Sequence, residues 1–173
     1  LLALVFVWLA CEVCAEPLHL TPEPKQVQVL PGQFVWGPGM PIALGSAQRD
    51  QFFAAQLDGE VRRCFGFRLP LGDPLRSPIR LGLLSDAVIQ PALAGQDLSA
   101  LKGQGTDAYL LLIVPQGITL AGKGTAGVFN ALLTLDQLLR RATEDRALPC
   151  VRILDWPTPR PSRRAPSVLA PQP

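Results

Sequence analysis

Histidine is close to absent from this 173-residue chain, which holds one, His19. A Ser-His-Asp triad would have to be built on it, and a zinc cluster cannot be assembled from one histidine and two distant cysteines. His19 lies in a proline-rich segment and is expected to be an exposed loop side chain. Cysteine is scarce too. Of four, Cys11 and Cys14 fall in the apolar opening, which leaves Cys64 and Cys150; a disulfide between these two and a pair of free thiols both stay open. Aromatic residues make up 6% of the chain and offer no clear stacking platform for bases or sugars; Trp36 and Trp156 are the candidates for partial exposure. No apolar run reaches the roughly 20 residues that a bilayer span needs. Excess charge is missing as well. Between Glu16 and Pro157 thirteen Lys and Arg balance thirteen Asp and Glu, so no nucleic-acid partner is expected, because such binding rests on many phosphate contacts.

What is present is a 48% apolar content, enough to bury one core in a domain of about 100 to 150 residues. Leu1 to Ala15 is almost uniformly apolar and ends in Val13-Cys14-Ala15, which suits signal peptidase. The expectation is an export signal over residues 1–15, which the chain enters a few residues inside, and a mature protein starting at Glu16 in the periplasm, the extracellular space or a lysosome, with no membrane contact. Cys11 as a lipid anchor is the lesser reading, since Trp8 stands where such a signal carries Leu.

Beyond the signal, Val27 to Leu30 and Phe34 to Trp36 read as two short strands around a turn at Pro31-Gly32, and Ile42 to Leu44 as a third. Ser46 is a plausible N-cap. From Ala47 to Phe65 the residues Phe52, Phe53, Leu57, Val61 and Cys64 recur at three to five, the period of an amphipathic helix, and Gly66 ends it. Ile79 to Leu84 reads as a buried strand and residues 86–107 as loop. Ala108 to Val114 and Ile118 to Ala121 flank Pro115-Gln116-Gly117, the composition of a tight hairpin. Thr125 opens a second helix with a broad apolar face and Arg140 and Arg141 at its end; Cys150 to Leu154 makes a last strand. This predicts an α/β fold of the α+β kind, a single antiparallel or mixed sheet with two helices on one face. The helices are expected to pack through Phe52, Phe53, Leu57, Val61, Phe129, Leu132, Leu135 and Leu139, and Phe129→Ala to cost about 3 to 5 kcal/mol.

No motif assigns chemistry. Gly117 to Gly124 nearly spells a phosphate loop, but Gly124 stands where Ser or Thr must follow Lys123, and its middle residues read as strand; Lys123 is expected to be a solvated turn residue. Asp58 and Glu60 fall on different sides of a helix and Glu144-Asp145 in a polar loop, so both pairs are read as solvated. No catalytic, metal-binding or cofactor-binding residue is assigned.

Three segments carry a resemblance. Leu20-Thr21-Pro22-Glu23-Pro24-Lys25 with Val27 and Gly32-Gln33-Phe34, then Asp107 to Val114 with Gly117-Ile118-Thr119-Leu120, then Thr125 to Leu139 and Val151 to Pro157, resemble in this order the N-terminal domain of family 20 glycoside hydrolases, the β-N-acetylhexosaminidases. The resemblance spans about residues 17–157. It implies an antiparallel sheet with two helices on one face, followed by a (β/α)8 barrel that cleaves terminal N-acetylhexosamine residues. After Asp155-Trp156-Pro157 the resemblance stops. The family continues with an arginine that contacts the sugar, whereas this chain continues with Thr158-Pro159-Arg160-Pro161-Ser162-Arg163-Arg164, so the role passes to neither Arg160 nor Arg163. Residues 158–173 read as a Pro/Arg-rich disordered tail, and the break suggests a truncated or frame-shifted gene. The chain is therefore expected to be an inactive accessory domain whose partner is a catalytic barrel if one is present; a free-standing module that binds a glycan is the alternative.

Overall fold

The computed structural model describes residues 18–47, 49–142 and 145–157. The signal at 1–15, with Cys11, and the tail at 158–173, with Arg160 and Arg163, lie outside the described residues. In chain order these form β1 (Gln26–Val35), β2 (Ile42–Leu44), α1 (Asp50–Phe65), β3 (Ile79–Leu83), α2 (Gln90–Leu93), a 3₁₀ turn (Ser99–Leu101), β4 (Tyr109–Val114), β5 (Gly117–Gly122), α3 (Thr125–Leu139) and β6 (Ala147–Asp155). Among the described residues there is one six-stranded sheet in the order β1-β6-β4-β5-β3-β2. It is mixed: β1, β6, β4 and β5 pair antiparallel, while β5, β3 and β2 run parallel.

Strand sequences follow position. β4, Tyr-Leu-Leu-Leu-Ile-Val, lies inside the sheet between β6 and β5 and has no polar face to spare, because both faces are covered. Its Leu111 and Ile113 join Ile118, Leu120, Val151 and Ile153 under α1 and α3. Leu110 and Leu112 point the other way, where with Ala121 and Leu154 they meet Val88, Ile89 and Leu101. Both long helices thus share one face, as the periodicity predicts. The opposite face is covered by the segment read above as plain loop, which includes α2 and the 3₁₀ turn. Arg152 pins that segment to the sheet, its guanidinium donating to Gln96 Oε1 at 3.1 Å and to the Asp97 carbonyl.

α3 sits close to the sheet at its start. A Cβ on Gly127 would stand 2.3 Å from the Ala108 carbonyl oxygen, so only glycine allows this approach. Beneath the helix the Tyr109 hydroxyl meets Thr134 Oγ1 at 2.7 Å, and Thr134 in turn donates to the Asn130 carbonyl at 3.1 Å. Gln137 clasps the backbone of Thr21 from both sides, accepting at 2.8 Å and donating at 3.0 Å, which fixes the segment before β1 along α3.

Three local expectations are corrected. The Pro31-Gly32 turn is no turn: β1 runs through it, paired to β6 on both sides, with the register shifting between Val29 and Gln33. Gly32 takes up the irregularity at φ +94, a left-handed conformation open to glycine. α1 begins at Asp50 and is not capped by Ser46, whose hydroxyl instead donates to Asp86 Oδ1 at 2.6 Å. Phe52 is 58% exposed and Phe129 36% exposed, so neither is a core anchor. Phe53, Leu57, Val61, Leu132, Leu135 and Leu139 are buried as expected.

Candidate docking face

Phe52 and Phe129 find their meaning on the outside of the helix pair. α1 and α3 lie side by side in the same direction: Phe53 stacks near Phe129 with ring centroids 5.8 Å apart, and one turn before the helix ends Glu60 and Arg63 meet Asp136 and Arg140. Arg140 bridges Asp136 at 2.8 Å and Glu60 at 3.8 Å, and Arg63 pairs with Glu60 and reaches Asp136 at 3.9 Å. Such exposed pairs contribute about 0 to 1 kcal/mol each; their value here is to hold the seam in register. Over the first half of the seam the surface is apolar. Phe52 lies 5.8 Å from Phe53, and Leu133, 46% exposed, stands one helical turn beyond Phe129 on the same side of α3. Exposed large apolar side chains grouped beside a charged seam suit an interaction face.

The helices carry more apolar residues than one face needs. In α3 the buried set, apart from Gly127 and Thr134, is Val128, Ala131, Leu132, Leu135, Leu138 and Leu139, at the three-to-four spacing of a single stripe. Phe129 and Leu133 are displaced from it by one position and form a second, narrower stripe. In α1 Phe53, Leu57 and Val61 make the buried stripe, and Phe52 adjoins it. The width of the apolar arc is the signal in the sequence from which this face could have been read, although the arc was expected to be core.

The side chains weighed as chemical candidates do not converge on it. His19 is exposed, with φ 35, at a shallow groove formed with Leu18, Leu20, Glu23, Pro24 and Val27. Asp58 is not solvated: its carboxylate accepts from the Leu69 amide at 2.6 Å and from Arg68 Nε at 2.9 Å, anchoring the chain after α1. Glu60 belongs to the ion-pair network of the seam. Asp145 is exposed, and Glu144 lies outside the described residues. Lys123 follows β5, as the strand reading of the false phosphate loop requires, but it is anchored, its ammonium donating to the carbonyls of Leu101 at 3.2 Å and Gln104 at 2.5 Å.

Trp36, expected to be partly exposed, is 2% exposed and packs edge-on against Phe34 with centroids 5.2 Å apart. Trp156 is half-buried against the opposite face of the sheet. Trp156 is thus partly exposed as expected, and Trp36 is not. Cys64 and Cys150 are both free; Cys150 is buried, and burial pushes its thiol pKa up, which suits packing more than reactivity. Among the described residues no group of three His, Cys, Asp or Glu is placed to hold a metal ion, and no helix is long and apolar enough to cross a membrane.

No curated protein matches the chain. Solved structures do. A mutant β-hexosaminidase of Streptomyces plicatus in complex with GlcNAc is 22% identical, with a TM-score of 0.61 over 80% of this chain and 26% of that one. An exo-β-N-acetylglucosaminidase of Vibrio harveyi is 21% identical, with a TM-score of 0.58 over 79% of this chain and 18% of that one. A β-N-acetylhexosaminidase of Bacteroides fragilis is 15% identical, with a TM-score of 0.56 over 80% of this chain and 25% of that one. At these identities the likeness shows a shared fold, and the chain spans about a quarter or less of each of these proteins. The sequence itself matches the profile described as glycosyl hydrolase family 20, domain 2, over residues 18–156. That match takes in every described strand and helix, and this chain belongs to the glycosyl hydrolase family 20 domain 2 family.

Proposed function

We propose that this chain is the non-catalytic N-terminal accessory domain of a β-N-acetylhexosaminidase, and that the outer face of the α1–α3 pair seats the catalytic barrel of that enzyme. The observation that carries this reading is the apolar strip of Phe52, Phe129 and Leu133 on the outside of two helices whose inner faces are already buried. Membership in family 20 supports it, as does the fact that the solved relatives extend over about four or more times the matched region. The whole enzyme would remove terminal N-acetylhexosamine residues from glycans. In the same reading residues 1–15 are an export signal and the protein acts outside the cytoplasm.

The chemistry of such cleavage supports an inactive domain. The substrate's own acetamido oxygen attacks the anomeric carbon, so the protein must supply one carboxylate to orient that group and a neighbouring carboxylic acid to protonate the leaving oxygen. The family carries them as adjacent Asp-Glu, whereas the one adjacent pair of acids in this chain is Glu144-Asp145, in reverse order and between α3 and β6. The burial of Trp36 takes away one of the two side chains on which a free-standing glycan module would have rested.

The test pairs the purified full chain with a separately expressed family 20 catalytic barrel from the same source. Size-exclusion chromatography should show a complex that the double variant Phe52→Asp/Phe129→Asp abolishes, and the chain alone should not turn over a chromogenic N-acetylglucosaminide. Complex formation indifferent to the double variant would remove the docking face. Turnover by the chain alone that survives repurification and is lost in Glu144→Gln would overturn the non-catalytic assignment.

A further inference from the structure

Two carboxyl groups are buried together where β2 and β3 end. Asp50, the first residue of α1, is 1% exposed, and neither of its carboxyl oxygens has a hydrogen-bond partner. Asp86, in the turn after β3, is also buried but fully engaged: Oδ1 accepts from the Ser46 hydroxyl at 2.6 Å and Oδ2 from the Leu83 amide at 2.7 Å. Both acids lean into the space that a side chain at Gly45 would fill. A Cβ there would stand 2.0 Å from Asp86 Oδ2 and 2.8 Å from Asp50 Oδ2, which puts the two oxygens no more than about 5 Å apart, within the range where like charges disfavour one another strongly. Gly82 clears the same space from β3, since a Cβ on it would lie 2.6 Å from Asp86 Oδ2.

An ionised carboxylate so buried and unpartnered is costly, and a second carboxylate beside it makes it more so. Asp86 accepts hydrogen bonds on both oxygens, whereas Asp50 has none to offset a buried charge. Asp50 is then the group that keeps a proton, with the Asp86 carboxyl group beside it. We propose that Asp50, kept protonated by its burial beside Asp86, is a pH-sensitive latch at the corner where the first turn of α1, the Ser46 turn and the turn after β3 meet, and that loss of its proton loosens this corner.

The charged groups on the surrounding elements are Arg49, exposed at the start of α1, Arg80, on the Gly82 face of β3, and Asp86. Burial is the main cause that pushes the Asp50 carboxyl from 3.8 up to about 6; the Ala47 backbone opposes the rise and Asp86 adds to it. The partial positive charge at the start of α1 also favours ionisation, but it is worth only a fraction of what burial costs. A carboxyl raised in the folded state contributes stability that is whole below its unfolded value and is lost as pH rises through the folded one. With these values the folding constant falls about tenfold between pH 5 and 7.5 through this pair alone.

Unfolding of the full chain and of Asp50→Asn, followed at both pH values, tests this. The wild-type constant should fall about tenfold more than that of the variant, whose amide carries no charge at any pH. Parallel falls would overturn the latch. Should Asp50→Asn not fold, a carbon-13 titration of the wild-type Asp50 carboxyl separates the same two cases: a midpoint near 6 upholds the latch, and one near 3.8 removes it.

Discussion

Truncating α3 at three positions separates side-chain size from side-chain place. Leu135, on the inner face of α3, is fully buried and belongs to the main core. Leu135→Ala removes its packing and leaves a cavity that the surrounding strands close only in part, a change that costs about 3 to 5 kcal/mol. Phe129 is the larger side chain yet about a third of it is exposed. Full burial of a phenylalanine is worth about 1.5 to 3 kcal/mol, so its buried part, with the Phe53 ring beside it, sets Phe129→Ala at about 1 to 2 kcal/mol. Leu133, nearly half exposed, should cost less than about 1 kcal/mol as an alanine, in keeping with surface positions. The measurement is urea unfolding at equilibrium, read from the midpoint at constant m so that the denatured state is held fixed. The ranking Leu135, Phe129, Leu133 follows burial and runs against size for the first two. A loss at Phe129 equal to or larger than that at Leu135 would mean that α3 is turned on its axis with Phe129 in the core, and the docking face would go with it.

Gly127→Ala should destabilise by about 1 to 3 kcal/mol in thermal unfolding, because the added methyl meets the Ala108 carbonyl, although alanine is the better helix former by about 1 kcal/mol. Asp58→Ala should cost about 1 to 3 kcal/mol in the same assay by leaving the buried Leu69 amide unpaired, and Asp58→Asn, which keeps one acceptor, should cost less. Tyr109 is the one tyrosine in the chain, so absorbance at alkaline pH reads it alone. Its hydroxyl should ionise near 12 instead of 10, first because of burial; the stability tied to the neutral phenol is present below 10 and lost as pH rises through 12, and a midpoint near 10 in the folded protein would show Tyr109 open to water.

Much of this fold was legible because its signals are local. The β4–β5 hairpin needed two apolar runs and the Pro115-Gln116-Gly117 link between them, and the strands pair as that composition predicts, with Gly117 already in β5 opposite Val114. The period of α3 needed no partner to be seen. What was not legible depends on residues far along the chain. Pro31-Gly32 carries every mark of a turn, but β6, more than a hundred residues later, pairs on both sides of it, and an edge strand tolerates a proline that an inner strand would not. Ser46 looks like a helix cap, yet its hydroxyl is taken by Asp86. Asp50 gave no sign at all, since an acid at the start of a helix is ordinary until the fold brings a second acid beside it.

The outer face of the helices was visible and misassigned, and the reason bears on function. A periodic count that collects every apolar residue near the stripe assumes one buried face, so it placed Phe52 and Phe129 in the core with their neighbours. The sheet can cover only part of a helix's circumference. In α3 the residues that meet the sheet already account for one full stripe, and Phe129 and Leu133 lie beyond its edge. A helix apolar over more than one face is the pattern of an element covered from two sides. Here the sheet supplies one side, and the charged seam of Glu60, Arg63, Asp136 and Arg140 bounds the other instead of crossing it. The surplus apolar arc thus lies on the half of the helix pair where the rings of Phe52, Phe53 and Phe129 cluster, and the proposed barrel, seated there, would bury it without breaking an ion pair.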